Sequence, residues 1–501
     1  MINNLLLIFI PIITAIIILL IKDKKVNYLF FIAQMALFYF ALKIIPCRGY
    51  VISNYSKYIG IELKVCDLAY YLIFITIFLF TIAVLFEYKN KFKEIYFVHV
   101  ILLLEGCLLA SYQLNDFFSI FLLLEVVTIL STILVIYEKN KEALRDGFYY
   151  ILFNSLGMVF YISGIIILYQ IFGTLNMDII SYRMSEAKMS SPYYLNASFV
   201  LISLSISLKA AFFPLYNWLP RAHSSAPKVV SALLSGLLIN IGPYYFMKIY
   251  NVYDEYQYLY LFKYMGALTL ILAGVMAFSQ TKIKRVLAFS TISQMGLIIY
   301  LFSTLDSKQV SLTVALINHS LIKFLLFIST LYELPFYFGL VMLSGIPLSS
   351  MYVTKSMGGI SLQSYFFTFL TMTYIIKAFQ MQRKDITDRK KLLKMNKKMY
   401  KKLNRCKDDS LRAKFNSQNI VFFILTMTIL GVTLYEYFNL ELKIKLFDFL
   451  IYPILIVLAF YVQKFSRHKI FKYLKNVNPS FKDAIFMLLF FLSMMVISIK
   501  P

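Results

Sequence analysis

SISLKAAFFPLYNWLPRAHSSAPKVVSALLSG, residues 205–236, places a lysine, Lys209, inside an otherwise apolar helical run, with a proline, Pro214, five residues later. The surroundings make this costly. The chain is 60% hydrophobic, and apolar runs of 17 to 25 residues recur from end to end. Each is long enough to cross a bilayer as a helix. Irregular backbone cannot face lipid, so such runs must be helices packed into one bundle. They fall near 5–21, 28–45, 69–86, 95–114, 116–137, 148–172, 197–219, 229–250, 259–279, 286–303, 310–332, 336–356, 361–380, 419–437, 446–463 and 482–499. The expected fold is therefore an all-α polytopic membrane protein. The first run is followed by KDKK without a small-residue cleavage site, and reads as a retained span rather than a signal peptide.

The net charge of +25 follows the topology. If the spans alternate, one set of loops holds most of the Lys and Arg, and the excess persists when the basic segment 383–415 is set aside. That bias predicts a multi-pass inner (cytoplasmic) membrane protein with its N-terminus outside and 383–415 in the cytoplasm. It removes nucleic acid as a partner and makes anionic lipid one. The basic segment reads as a solvated linker on the leaflet or as a surface helix, with Leu392, Leu393, Met395, Met399 and Leu403 on one side. Cys47, Cys66, Cys107 and Cys406 have no ligand spacing, and no phosphate-binding or zinc motif occurs. No metal, cofactor or redox site of the chain's own is expected. A disulfide between Cys47 and Cys66, in one loop, is the one pairing left open.

Two spans share an irregularity. The helix carrying Lys209 is interrupted at Pro214, and the helix carrying Lys355 at SGIPLSS, around Gly345 and Pro347. Broken helices in corresponding positions of two halves point to an internally repeated transporter. On that reading 1–94 holds N-terminal helices, 95–250 and 259–380 are two five-helix units inverted relative to each other, 383–415 is the basic segment, and 419–501 holds C-terminal helices.

Ionisable groups inside spans are costly, by about 2.5–3.5 kcal/mol or more at mid-helix, and are functional candidates by default. The set is Glu125, Lys209, His319, Lys323 and Lys355, with Glu105, Asn240 and Lys248 as further relay candidates. Lys248, Lys263 and Lys377 lie near span ends, where lysines snorkel to the interface. His319 and Lys323 are four apart, on one helix face. Glu125 and Lys209 are expected to pair, each stabilising the other's charged form.

At these residues the chain resembles the antiporter-like membrane subunits of complex I, of Mrp-type cation/proton antiporters and of membrane-bound hydrogenases. NDFFSIFLLLEVVTILS is similar to that family's fifth helix with its glutamate, here Glu125, and residues 205–236 to its seventh, with the central lysine at Lys209. INHSLIKFLLF resembles its eleventh helix, with His319 and Lys323 at relay positions, and LSGIPLSSMYVTKSM its broken twelfth, ending at Lys355. The resemblance implies about 14 core helices with two inverted five-helix repeats, plus about two extra C-terminal helices. It also implies monovalent cation (Na+)/proton antiport, or proton pumping coupled to NADH-quinone oxidoreduction, beside other membrane subunits; the wording around Lys355 leans to the D-type component of Mrp antiporters. Asn240 stands where relatives carry a lysine or histidine, Gln294 where many carry a histidine, and the connection between the eleventh and twelfth helices is short. These departures favour the alternative, a transport-impaired structural or assembly component of such a complex.

Overall fold

Among the described residues, 11 helical segments are long and apolar enough to cross a membrane. The computed structural model describes residues 2–52, 55–88, 92, 94–253, 256–305, 308–357, 362–395, 408–440 and 446–465. Helices α1 (Ile2–Ile21) and α2 (Leu29–Leu42) lead into a two-stranded hairpin, β1 (Gly49–Val51) and β2 (Glu62–Lys64). Then follow α3 (Asp67–Phe86), α4 (Ile95–Gln113), α5 (Phe117–Val135), α6 (Lys141–Phe172), α7 (Met177–Ser190) and α8 (Pro192–Lys209). Short α9 (Trp218–Ser225) and α10 (Lys228–Gly236) precede α11 (Ile241–Tyr253), α12 (Tyr256–Ser279), α13 (Ile283–Thr304) and α14 (Lys308–Ile328). A second interrupted helix, α15 (Glu333–Ser344) and α16 (Ser350–Ser356), is followed by α17 (Leu362–Met395), α18 (Asp408–Asn439) and α19 (Leu446–Phe465).

Fifteen of the expected spans thus have a helical counterpart; the one at 482–499 lies outside the described residues. The basic segment contributes helix at both ends, since α17 runs on to Met395 and α18 starts at Asp408; residues 396–407, including Met399, Leu403 and Cys406, lie outside the description. The polar helix α7 was not expected. It starts because the Asn176 side chain accepts from the Asp178 and Ile179 amides, occupying donors that the first turn leaves free. Asp116 and Asn140 cap α5 and α6 in the same way.

With lipid outside, helices gain little from burying apolar surface against one another, so close approach and small residues decide the packing. Gly266 and Gly296 put α12 and α13 backbone to backbone. A Cβ on Gly296 would sit 2.6 Å from the Leu270 nitrogen and 2.7 Å from the Gly266 carbonyl oxygen. Neither is a flexible side chain that can yield. Gly296→Ala is expected to destabilise the detergent-solubilised protein by about 1–3 kcal/mol, the range for overpacking. Gly431→Ala on α18, where a Cβ meets nothing within 4 Å, is the control that leaves the melting temperature unchanged.

The hairpin is anchored by a buried acid. Glu62 accepts from Asn176 at 2.8 Å, from Asn115 at 3.1 Å and from Lys57 at 2.9 Å, and its backbone carbonyl takes the Asn115 amide at 2.9 Å. Beside it Lys64 reaches Asp178 at 2.8 Å, tying the hairpin to α7. Burial by itself would raise the Glu62 carboxyl; the three donors outweigh it and hold the group below the ordinary carboxylate range. A depressed folded-state value means stability that is present above the unfolded value, about 4.3, and lost as pH falls through the folded one. Hydrogen exchange of the hairpin amides is expected to stay slow at neutral pH and accelerate in acid below pH ~4, a transition that Glu62→Gln removes. Cys47 and Cys66 are free thiols, so the disulfide left open between them is not formed.

Candidate functional site: buried lysines at two helix breaks

Lys209 is the last residue of α8 and is buried. Its helix ends where Ala211 takes a left-handed φ of 54°, three residues before Pro214. The carbonyls freed by the break do not go to the ammonium. Ser207 O accepts from the Phe212 amide at 3.0 Å, and Leu208 O from Trp218 Nε1 at 2.9 Å. The ammonium instead crosses to α5, donating to the Thr128 hydroxyl and, at 3.4 Å, to the Leu124 carbonyl.

The expected ion pair with Glu125 is therefore not formed. Glu125 lies one residue after Leu124, rotated by about 100° around α5, and accepts from Ser155 of α6 at 3.3 Å. It remains near enough for its charge to act on Lys209. What meets the lysine is a hydroxyl and a carbonyl, not a carboxylate.

Helix α14 carries the next group. Lys323 is fully buried and donates to the Ser290 hydroxyl and, at 3.4 Å, to the Leu287 carbonyl, both on α13. One turn earlier His319 is fully buried, and neither ring nitrogen is hydrogen-bonded to the described residues. Its sequence neighbours face other helices. Ser320 accepts from Asn240 Nδ2 at 2.6 Å, joining α14 to the α10–α11 kink. Asn318 Nδ2 reaches the Ser350 carbonyl at 3.1 Å, the Thr354 hydroxyl at 3.4 Å and Glu436 at 2.9 Å.

Lys355 occupies the second break. Gly345, at φ 76°, ends α15, and the Ser349 hydroxyl restarts the chain as α16 by accepting from the Tyr352 amide at 3.2 Å. The Lys355 ammonium turns back toward the break. It donates to Ser344 O at 3.4 Å, the last carbonyl of α15, and to Thr371 and Thr368 of α17 at 3.1 and 3.4 Å. Here a freed helix-end carbonyl, at the negative pole of the helix dipole, does meet the cation.

Residues 114–334 match the family described as NADH:quinone oxidoreductase/Mrp antiporter, transmembrane. The region holds Glu125, both residues of the α14 relay and the first break. These residues belong to that antiporter-type family. Among relatives, the D component of the Na(+)/H(+) antiporter of Alkalihalophilus pseudofirmus is 32% identical over 193 residues, 37% of this chain and 38% of that protein. Other curated relatives are likewise matched over only about half of their length. In fold, the chain is similar to a chain of the Mrp complex from Dietzia sp. DQ12-45-1b, with TM-score 0.67, 18% identity and coverage of 77% and 79% of the two chains. It is also similar to a chain of the archaeal membrane-bound sulfane sulfur reductase, with TM-score 0.63, 18% identity and coverage of 98% and 99%.

The other candidates scatter. Glu105 is fully buried but lies apart, on α4, accepting from Gln34 of α2 at 2.6 Å. Lys248 does not snorkel as expected of a lysine near a span end. It is buried and donates to the Leu114 carbonyl at the C-terminal end of α4, because that orphan acceptor lies within its reach. Gln294 donates to the Tyr374 hydroxyl at 2.7 Å, joining α13 to α17. Of the buried ionisable residues that were not singled out from the sequence, two lie beside these groups. His223, in α9, stacks flat on Phe327 of α14 at 4.5 Å, with Lys284 and Lys323 as its charged neighbours. Glu436, near the end of α18, is the acid that receives Asn318. An ionisable residue within an apolar run was the available signal for Glu436; His223 sits among prolines and serines that read as connection.

Proposed function

We propose that this chain is a proton-translocating membrane subunit, acting in monovalent cation (Na+)/proton antiport or in redox-driven proton pumping within a larger assembly. One observation carries the reading. Lys209, Lys323 and Lys355 are buried in a membrane-spanning bundle, and each is held by hydroxyls and carbonyls, with no carboxylate in contact among the described residues. A permanently charged ammonium so placed is expensive, and a neutral amine wastes its donor geometry. An amine that alternates between the two states suits both the hydroxyl ligands and the burial. His319 lies one turn before Lys323, His223 has Lys323 as a charged neighbour, and the Asn240–Ser320 contact joins α14 to the α10–α11 kink. A polar cleft of about 320 Å³ lined by Glu142, Arg145, Asp146, Arg221, Lys282 and Arg285 offers an entry at the end away from the hairpin.

The relatives named for Na(+)/H(+) antiport favour protons and sodium as the transported ions, with other membrane subunits as partners. The charge bias of the loops supports an inner-membrane placement with the N-terminus and hairpin outside. The two breaks, each with its lysine, support reading 95–250 and 259–380 as inverted units. In everted vesicles of a host lacking its own antiporters, co-expression with the partner subunits is expected to give cation- or redox-driven proton movement. A wild-type complex that assembles but moves no protons contradicts the proposal and favours a purely structural role.

A further inference from the structure

Glu436 belongs to no position that the sequence patterns or the family match singled out; it lies outside residues 114–334. It is 5% exposed, on the last turns of α18, and faces two ways. On one side it lines a cavity of about 770 Å³ bounded by Phe74, Thr313, Ile317, Tyr435 and Asn439, with Asp67 among the lining residues. These come from the starts of α3 and α14 and the end of α18, which is the hairpin end of the bundle. On the other side Asn318 Nδ2 donates to its carboxylate at 2.9 Å, and the same amide serves Ser350 O and the Thr354 hydroxyl on α16, next to Lys355. Thr433, one turn before Glu436, meets the Ser350 hydroxyl at 2.6 Å, fixing α18 against α16.

We propose that Glu436 is a proton-exchanging carboxylate that connects the Lys355 half-helix to this cavity. The proposal deepens the translocation reading and rests on it. An amide has two protons to donate, and Asn318 faces three acceptors. Charged Glu436 competes for the amide; protonated, it gives up that claim and can itself donate. Proton occupancy at Glu436 therefore redistributes the hydrogen bonds holding α16, the element that carries Lys355. Charged and titratable groups on the packed elements include His319 and Lys323 on α14, Tyr352 and Lys355 on α16, and Tyr71 and exposed Asp67 on α3, and among the described residues none forms an ion pair with Glu436. A carboxylate at that depth without a cation in contact is suited to taking up and releasing protons.

The test uses the full complex in native membranes. Dicyclohexylcarbodiimide adds only to protonated carboxyls in apolar surroundings, and the cavity admits it. Peptide mass spectrometry is expected to find the adduct on Glu436, declining as pH rises and absent in Glu436→Gln. In the same vesicles Glu436→Gln is expected to lower proton flux at least tenfold with the complex still co-purifying, and Glu436→Asp to retain part of it. Wild-type flux in Glu436→Gln overturns the proposal while leaving the translocation reading intact. Lost flux without pH-dependent labelling also overturns it, in favour of packing. A wild-type complex that moves no protons is the separate failure of the translocation reading, and labelling then still decides whether Glu436 exchanges protons with the cavity.

Discussion

Replacing Lys209 with methionine is expected to abolish proton translocation while leaving the folded bundle as stable as before, or more so. Both halves follow from the contacts. The Lys209 ammonium is buried, and its partners among the described residues are the Thr128 hydroxyl and the Leu124 carbonyl. Methionine has a similar volume and no charge to desolvate. Swapping buried charges for apolar residues of matching volume is commonly neutral or stabilising, by about 1–4 kcal/mol. Thr128 keeps its bond to the Leu124 carbonyl, at 2.8 Å, so no buried hydroxyl is orphaned. A positioned proton-transfer group contributes about 100-fold or more to rate, and flux is expected to fall by at least that. Lys209→Arg is expected not to rescue, because a guanidinium does not release its proton in proteins. A structural lysine gives the opposite pattern: arginine rescues, and methionine lowers the melting temperature of the purified complex.

The second large effect is expected at Gly345. Its φ of 76° is left-handed, and a Cβ there would stand 2.8 Å from the Lys355 Nζ. Gly345→Ala carries a backbone cost of about 1–2 kcal/mol and also pushes the ammonium off Ser344 O and the α17 threonines. Gly173 separates the two causes. It has φ 67° and nothing within 4 Å of an added Cβ. Gly173→Ala is expected to lose the same backbone stability with normal flux, whereas Gly345→Ala loses both. Equal flux in the two variants would mean that the placement of Lys355 at the break is not what matters.

The spans and the buried lysines were legible because both are one-dimensional signals. Apolar length finds a helix, and a lysine within that length stands out. The residues around SISLKAAFFP and SGIPLSS also announced the breaks, since proline and glycine end helices wherever they fall. What each lysine touches was not legible. The Glu125 pairing failed by a single residue of helical rotation, which depends on how α5 and α8 pack. Lys248 looked like an interfacial residue because depth was judged along its own helix; the acceptor that turned it inward belongs to α4. Glu62 carries no one-dimensional signal: it lies in a connection between spans, and contacts from the start of α7 and from Asn115 bury it. Helix α7 itself shows too little apolar periodicity to find. Glu436 was passed over within a span treated as an appendage, whereas α18 packs against α3, α14 and α16.

The central claim is that the buried lysines move protons rather than hold helices together, and Lys323 tests it most directly. It is fully buried on α14, whose residues reach α13, the α10–α11 kink, α16 and α18. The measurement is the proton gradient reported by a pH-sensitive dye in everted vesicles carrying the assembled complex with Lys323→Met, its subunits verified by co-purification. Normal assembly is expected, with no gradient above that of vesicles lacking the complex. A gradient forming at the wild-type rate would contradict it.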